Sequence, residues 1–289
     1  MSTSRSWKLL EILEETSRFF ADRGVPDARL QAELLLADLL GLKRLDLYLQ
    51  FDRPLHAEEV DRYRSYVRQR VKRVPLQYIV GTAAFRYLEL SVTSDVLIPR
   101  PETEILVDIA LEKLADLSAP HCLDLCCGSG AIALSLVHEH AEAFVTGSDL
   151  SQSAIAVSAA NAQKWALEER VEWLCGDLFT TVAGRQFHLI SSNPPYIRQA
   201  DIATLEPEVR DHEPHLALDG GEDGLAFYRQ ICNSAADFLF SNGHLLLEVG
   251  DGQADQVCAL LQQTGAYRSV DVSVDLNDIP RVVIAEKNS

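Results

Sequence analysis

From His121 onward the chain alternates between short apolar runs and helical periods, and this alternation restricts it to a sheet of mainly parallel strands covered by helices. His121–Leu125, Phe144–Ser148, Val171–Leu174, Phe187–Ser192 and Leu245–Val249 read as strands. Ala131–His138, the stretch from Ser151 to about Leu167, Gly224–Phe240 and Gln253–Gln263 read as helices. Tyr267–Val274 and Arg281–Ala285 are expected to close the sheet. In open α/β sheets, ligands bind along the C-terminal edge of the strands. The residues at those strand ends are therefore the first candidates for chemistry.

The strand Phe187–Ser192 runs into Asn193-Pro194-Pro195-Tyr196. Two consecutive prolines end the ladder, because neither has an N–H to donate. An Asn amide, an unpaired carbonyl and an aromatic ring are thus presented together. The Asn193 side-chain oxygen and the Pro194 carbonyl are both acceptors. They can take both hydrogens of a planar NH2 group while Tyr196 stacks on its plane. An amide or aryl-amino nitrogen is a poor nucleophile, its lone pair being delocalised. Acceptors that strengthen as that nitrogen turns tetrahedral stabilise the transition state more than the ground state. The rival reading of the tetrapeptide is a Pro-Pro turn with no further role.

The first strand runs into the tight turn Cys126-Cys127-Gly128-Ser129-Gly130. Gly128–Ala133 satisfies the G-x-G-x-x-A pattern of dinucleotide binding, which makes an oxidoreductase or a non-catalytic nucleotide-binding protein a rival. The flanking acids point elsewhere. Asp124 precedes the turn, Asp149 ends the second strand and Asp177 follows the third. Acids at three successive strand ends suit a nucleoside with a ribose diol, an adenine amine and an ammonium group better than a pyrophosphate. A helix-capping role is the plainer reading of Asp149 and Asp177.

Residues 1–75 read as an all-helical unit: one helix marked by Trp7, Leu10, Leu13 and Phe20 and ended near Gly24, and a second opened at Pro26-Asp27 with Leu30, Leu34 and Leu35 inside and stopped at Gly41. A short helix covers Leu45–Leu49, and a fourth runs from about Ala57 to Arg73. The last carries Arg62, Arg64, Arg68, Arg70, Lys72 and Arg73, the one dense basic region, read either as a solvated face or as a docking face for an acidic or RNA-associated partner. Residues 76–96 read as a linking hairpin, Leu97–Glu104 as an extended segment fixed by two prolines, and 197–223 as a long polar loop of the functional kind. The chain of 289 residues has no apolar run long enough to span a membrane, and Met1–Arg5 leads into an amphipathic stretch instead of an apolar signal core. Its six cysteines lack zinc-like spacing, so reduced thiols in a cytoplasm and no metal site are expected. The net charge of −17 opposes duplex DNA as a direct partner.

Asp124–Gly130, Asp149, Asp177 and Asn193–Tyr196 resemble the class I S-adenosylmethionine-dependent methyltransferases. Leu97–Glu104 (LIPRPETE), Glu213–Gly224 (EPHLALDGGEDG) and Leu247–Gly250 narrow the resemblance to the HemK/PrmC family, protein-(glutamine-N5) methyltransferases of peptide chain release factors. It spans nearly the whole chain. It implies a Rossmann-like seven-stranded sheet over residues 97–289 with an antiparallel last hairpin, preceded by a small helical substrate-recognition domain. It implies S-adenosyl-L-methionine held by Cys126, Cys127, Gly128, Ser129, Gly130, Asp149, Asp177, Leu178 and Asn193. It further implies, as substrate, the Gln of a Gly-Gly-Gln tripeptide, bound by Asn193, Pro194, Pro195 and Tyr196. An adenine-N6 nucleic-acid methyltransferase, which shares the Asn193–Tyr196 tetrapeptide, is the alternative within the same chemistry. Cys126 stands where the family more usually has Gly, which would crowd the methionine moiety.

Overall fold

A computed structural model describes residues 7–289; residues 1–6, on which part of the N-terminal reading falls, lie outside the described residues. The chain divides into two compact units, one of Met1–Gly81 with Glu206–His212 and one of Thr82–Leu205 with Glu213–Ser289. Among the described residues no helix is long and apolar enough to cross a membrane.

The first unit packs α1 (Leu9–Asp22), α2 (Ala28–Leu40), α3 (Arg44–Leu49), α4 (Ala57–Val71) and α5 (Leu76–Val80) around Leu9, Leu13, Phe20, Leu35, Leu36, Leu47 and Tyr63. Three of these helices start alike. Glu11, Asp46 and Glu59 each accept the N–H three residues earlier, at 3.3, 3.2 and 2.8 Å, satisfying a donor that the helix itself leaves open. Leu30, expected inside, is exposed, because the buried stripe of α2 runs through Ala32, Leu35, Leu36 and Leu39. Residues 76–80 form a helix and not part of the hairpin: Pro75 caps one end, and Gly81, at a φ of 82°, caps the other. The basic helix is less free than its sequence implies. Arg70 is 3% exposed and donates to Gln31 at 2.9 Å and Glu208 at 2.7 Å, and Arg73 pairs with Glu208 at 2.7 Å. Arg62, Arg64, Arg68 and Lys72 remain exposed.

The second unit opens with the hairpin β1 (Thr82–Phe85) and β2 (Leu88–Ser91). A single 3-10 turn, Pro101–Thr103, leads into α6 (Glu104–Leu114). Then follow β3 (His121–Leu125), α7 (Ala131–Glu139), β4 (Phe144–Asp149), α8 (Gln152–Lys164), β5 (Val171–Cys175), β6 (Phe187–Ser192), α9 (Pro207–Arg210, counted in the first unit), α10 (Ala226–Ser234), β7 (Leu239–Glu248), α11 (Ala254–Thr264), β8 (Tyr267–Val274) and β9 (Pro280–Lys287). The seven strands order as β5-β4-β3-β6-β7-β9-β8; only the pairings of β9 with β7 and β8 are antiparallel. The order reverses between β3 and β6, the switch point at which α/β sheets open a crevice.

Two apolar layers cover the sheet. Leu123, Leu125, Ile190, Leu245 and Leu247 face one; Cys122, Leu189 and Leu246 face the other, in the strict alternation of a strand buried on both sides. The helix expected over Gly224–Phe240 ends earlier than its apolar pattern indicates: Leu239 pairs with Phe187 and starts β7. Ladder formation here overrides a local pattern that periodicity alone cannot resolve.

Trp173 of β5 roofs the turn after β3. A Cβ on Gly147 would lie 2.3 Å from its ring, and one on Gly130 2.8 Å. Gly147→Ala is expected to displace Trp173 and cost roughly 1–3 kcal/mol, the usual range for overpacking, read as a lower unfolding midpoint with quenching or shift of indole fluorescence. An unchanged midpoint would mean that the indole moves freely.

Candidate active site

A cavity of about 220 Å³ opens at the C-terminal ends of β3 to β6. The β3 turn contributes Cys126, Cys127, Gly128 and Ser129; β4 contributes Ser148 and Asp149; the segment after β5 contributes Asp177 and Leu178; β6 leads to Asn193 and Pro195. Leu97, Pro99, Arg100 and Thr103 form one wall, and Pro214, Leu216 and Ala217 another. Most of the residues singled out from sequence therefore meet in one place. Besides Asp124, three do not line the cavity. Gly130 caps α7, Pro194 is buried, and Tyr196 borders an adjacent polar hollow with Arg198, Asp223 and Gln253.

The glycine turn is tightly held. Gly128 N–H donates to Asp149 Oδ2 at 2.9 Å, and Ser151 N–H donates to Asp149 Oδ1 at 2.9 Å. Asp149 thus ties the β3 turn to the end of β4; its burial nevertheless pushes the carboxyl up from its ordinary range. Asn161 of α8 is fully buried and donates to Ser129 C=O and Ser91 C=O, both at 3.0 Å, while accepting Ser91 N–H at 2.7 Å. Ser158 donates to Gly128 C=O at 2.7 Å. Cys126 adopts a φ of 58°, a region that non-glycine residues rarely occupy. The departure from Gly at that position is thus a real backbone constraint.

Asp124 does not act at the cavity. It is completely buried within β3, accepting the Ser191 hydroxyl at 3.0 Å, and burial pushes its carboxyl up to about 7. The expected trio of strand-end acids reduces to Asp149 and Asp177, with Asp95 as a third acid in the lining. Arg100 is the lone basic residue in the lining, and it is committed to Glu213 by bonds of 2.7 and 2.8 Å. An acidic cavity with apolar walls (Leu97, Ile132, Leu178) fits a cationic nucleoside and opposes a pyrophosphate.

Around Tyr196 the backbone is crowded to the limit. A Cβ on Gly220 would lie 2.7 Å from Tyr196 Cα, one on Gly224 2.5 Å from Tyr196 C=O, and one on Gly250 2.9 Å from its ring. Gln253 Nε2 donates to Tyr196 C=O at 3.0 Å, and Ile197 N–H donates to Leu218 C=O at 3.0 Å. These contacts explain glycines at 220, 224 and 250 as close-approach positions. Asn193 Nδ2 donates to Thr103 Oγ1 at 3.3 Å, and behind both lies Glu248, 3% exposed. Among the described residues no hydrogen bond ends on Asn193 Oδ1 or the Pro194 carbonyl. Sequence reasoning assigned no role to Asn161, Ser158, Thr103, Glu213 or Glu248. Thr103, Glu213 and Glu248 do lie in the three segments that carried the resemblance.

A parallel sheet reversing at β3/β6, with an acidic pocket over a glycine turn, defines a class I methyltransferase. Its similarity to a methyltransferase from Pyrococcus furiosus, with a TM-score of 0.52 at 14% identity over 81% of this chain and 100% of that one, is one of fold. The family model of the PrmC N-terminal domain matches residues 11–81, and that of the methyltransferase small domain matches 102–222. A release factor glutamine methyltransferase of Geobacter sulfurreducens is 44% identical over 280 residues, 96% of each chain, and one of Chlorobaculum tepidum is 38% identical over 97% of this chain and 98% of its own. The chain belongs to the release factor glutamine methyltransferase family.

The raised Asp124 carboxyl has a stability consequence. Its folded pKa of about 7 lies above the ordinary value of 3.8, so the native state binds the extra proton between the two. The stabilising contribution is complete below about pH 4 and is lost as pH rises through 7. The unfolding free energy of Asp124→Asn relative to the parent is expected to improve by roughly 1–4 kcal/mol between about pH 4 and 7 and to stay level above. Denaturant titrations at intervals across that range check it; a pH-independent difference would remove Asp124 from the titration.

Proposed function

We propose that this chain, working in the cytoplasm, transfers a methyl group from S-adenosyl-L-methionine to the side-chain amide nitrogen of the glutamine in the Gly-Gly-Gln tripeptide of peptide chain release factors. The observation that carries this reading is the acceptor pair at the end of β6: Asn193 Oδ1 and the Pro194 carbonyl, neither used by the fold. Two acceptors on adjacent residues select a nitrogen that donates two hydrogens, as a primary amide does.

The donor set fits the cofactor. Asp149 is the acceptor suited to a ribose diol, Leu178 and Ile132 are apolar walls suited to adenine, and Asp177 is an acid suited to a positive charge. Cys126–Ser129 supply the floor of the same cavity, and Gly130 supports that floor as the cap of α7. When bound, S-adenosylmethionine supplies an electrophilic methyl group. Asn193 and Pro194 accept the two N–H hydrogens and so polarise those bonds toward nitrogen as it loses its conjugation and takes the methyl group. The nitrogen, made acidic by the transfer, then sheds one proton, so the reaction relies on positioning and transition-state hydrogen bonding. Pro195 completes the wall beside Asn193. Tyr196, its hydroxyl pushed up to about 12 by burial, stays a neutral ring at the end of the tetrapeptide. We assign the helical unit, residues 1–75 of the sequence reading, to recognition of the release factor body; its match to the PrmC N-terminal domain and the exposed Arg62, Arg64, Arg68 and Lys72 support that assignment.

Asn193→Ala is expected to lower kcat by roughly 10²–10³ while changing cofactor affinity by less than about tenfold. A release factor whose target Gln is replaced by Glu presents a carboxylate to two acceptors, cannot donate, and is expected to gain no methyl group. Mass spectrometry of the tripeptide region reads both. A methylated Glu variant would overturn the acceptor pair, and labelling of DNA in place of the release factor would overturn the substrate.

A further inference from the structure

Glu248 ends β7 opposite Val282 of β9. The cavity lining does not include it, and no step above uses it. It is 3% exposed, and its Oε2 has no hydrogen-bond partner. A buried carboxylate costs the fold free energy unless it is paired. Its neighbours say what it is for. Beside it the Asn193 Nδ2 and Thr103 Oγ1 are joined at 3.3 Å, and both side chains act to lower the Glu248 carboxyl against the rise that burial imposes.

An Asn side chain has two unlike edges, one oxygen and one NH2, and can present either to a ligand. Asn193 donates its Nδ2 hydrogen to Thr103 Oγ1 at 3.3 Å. A threonine hydroxyl that accepts from Asn193 must place its own hydrogen elsewhere, and Glu248 is the acceptor within reach. An ionised carboxylate only accepts. The sequence of donors, Asn193 NH2 to Thr103 hydroxyl to Glu248 carboxylate, therefore has one direction, set by the charge at its end.

We infer that Glu248 and Thr103 are positioning residues that hold the Asn193 NH2 inward and so turn its oxygen out to the cavity. The inference rests on the reading of Asn193 as acceptor for the target amide. Glu248 touches neither cofactor nor substrate and acts through Asn193.

The arrangement carries a pH signature. Burial pushes the Glu248 carboxyl up to about 7, against the hydrogen bond from Thr103 and the nearby Arg281. Arg281 is itself bonded to Asp275 at 2.9 Å. The other titratable groups facing Glu248 are Glu102, Tyr196 and Tyr228, the last donating to the Glu248 backbone carbonyl at 2.7 Å. Once protonated, Glu248 is itself a donor. The chain of hydrogen bonds can then reverse, and Asn193 turns its NH2 to the cavity, where two donors meet.

Two measurements test this. In asparagine-labelled protein, the Asn193 side-chain amide resonances are expected to move through a single titration near neutral pH, and Glu248→Gln is expected to abolish it. That readout needs no substrate, so it stands even if release factor proves not to be the methyl acceptor. In turnover assays, kcat is expected to fall on the acid side of neutrality in the parent and to lose that limb in Glu248→Gln. Thr103→Val should lower kcat by about 10–100-fold, the scale of losing a supporting hydrogen bond behind a reacting group, with cofactor dissociation constants within about twofold of the parent. Thr103→Ser, which keeps the hydroxyl, should recover most of that loss. Asn193 resonances independent of pH overturn the inference. So does an acid limb retained in Glu248→Gln, or a kcat loss in Thr103→Val that Thr103→Ser shares.

Discussion

Every part of the site depends on the level at which the central strands stop. The parallel ladder pairs Leu125 of β3 with Ser148 of β4 on one side and with Ser192 of β6 on the other. The glycine turn, Asp149 and Asn193 are the next residues on their chains, so one register brings all three to the same height. Two buried serines of β6 secure it. Ser192 donates to Leu125 C=O at 2.9 Å, and Ser191 spans to Asp124 at 3.0 Å. A slip of one residue would turn Asn193 to the opposite face and bury a different set of side chains. Polar residues in the middle of an otherwise apolar sheet are thus part of the device that aligns the site.

The strands themselves were legible because their burial on both faces makes them continuous apolar runs, and His121–Leu125 and Phe187–Ser192 fall where that pattern places them. Where tertiary pairing competes with local pattern, the sequence misleads. Leu239 belongs to an apolar helical period and is taken by the ladder with Phe187. Leu30 lies on an apolar row that α2 does not bury. Arg70 reads as a surface cation and is a buried ion-pair partner of Glu208, 138 residues away.

The same distinction runs through the site. Residues that announce themselves by local chemistry, such as a Pro-Pro after a strand or a glycine turn before a helix, were found where they stand. Supporting residues announce nothing locally. Asn161 holds the glycine turn from 32 residues away, Thr103 meets Asn193 across 90, and Arg100 meets Glu213 across 113. Tyr196 was legible as a member of the tetrapeptide but not in its placement, because its position is set by glycines at 220, 224 and 250 pressing against it. Asp124 shows the converse error. Its place in the sequence beside the turn made it look like a ligand-facing acid, whereas strand alternation turns it into the protein.

Two residues that line the cavity, Cys126 at a φ of 58° and Leu178 at 44°, occupy the left-handed region at a cost of roughly 1–2 kcal/mol each. Both follow strand ends, and both persist because their neighbours over-determine the backbone. Cys127 N–H reaches Ser148 C=O at 3.1 Å and Gly130 N–H reaches Cys127 C=O at 2.8 Å, so Cys126 has no other way to leave β3. Gly176 N–H reaches Asp149 C=O at 2.9 Å and Thr180 N–H reaches Asp177 C=O at 3.0 Å, enclosing Leu178 in the same manner. Strain concentrated at two strand ends and opposed by hydrogen bonds on either side is what a preformed pocket requires. A relaxed backbone at either point would swing the chain away from the edge, and the acids at Asp149 and Asp177 would lose their common focus. The side chain at position 126 then has a second effect. With its Cβ fixed by that φ, Cys126 takes up part of the cavity lining that a glycine there would leave open.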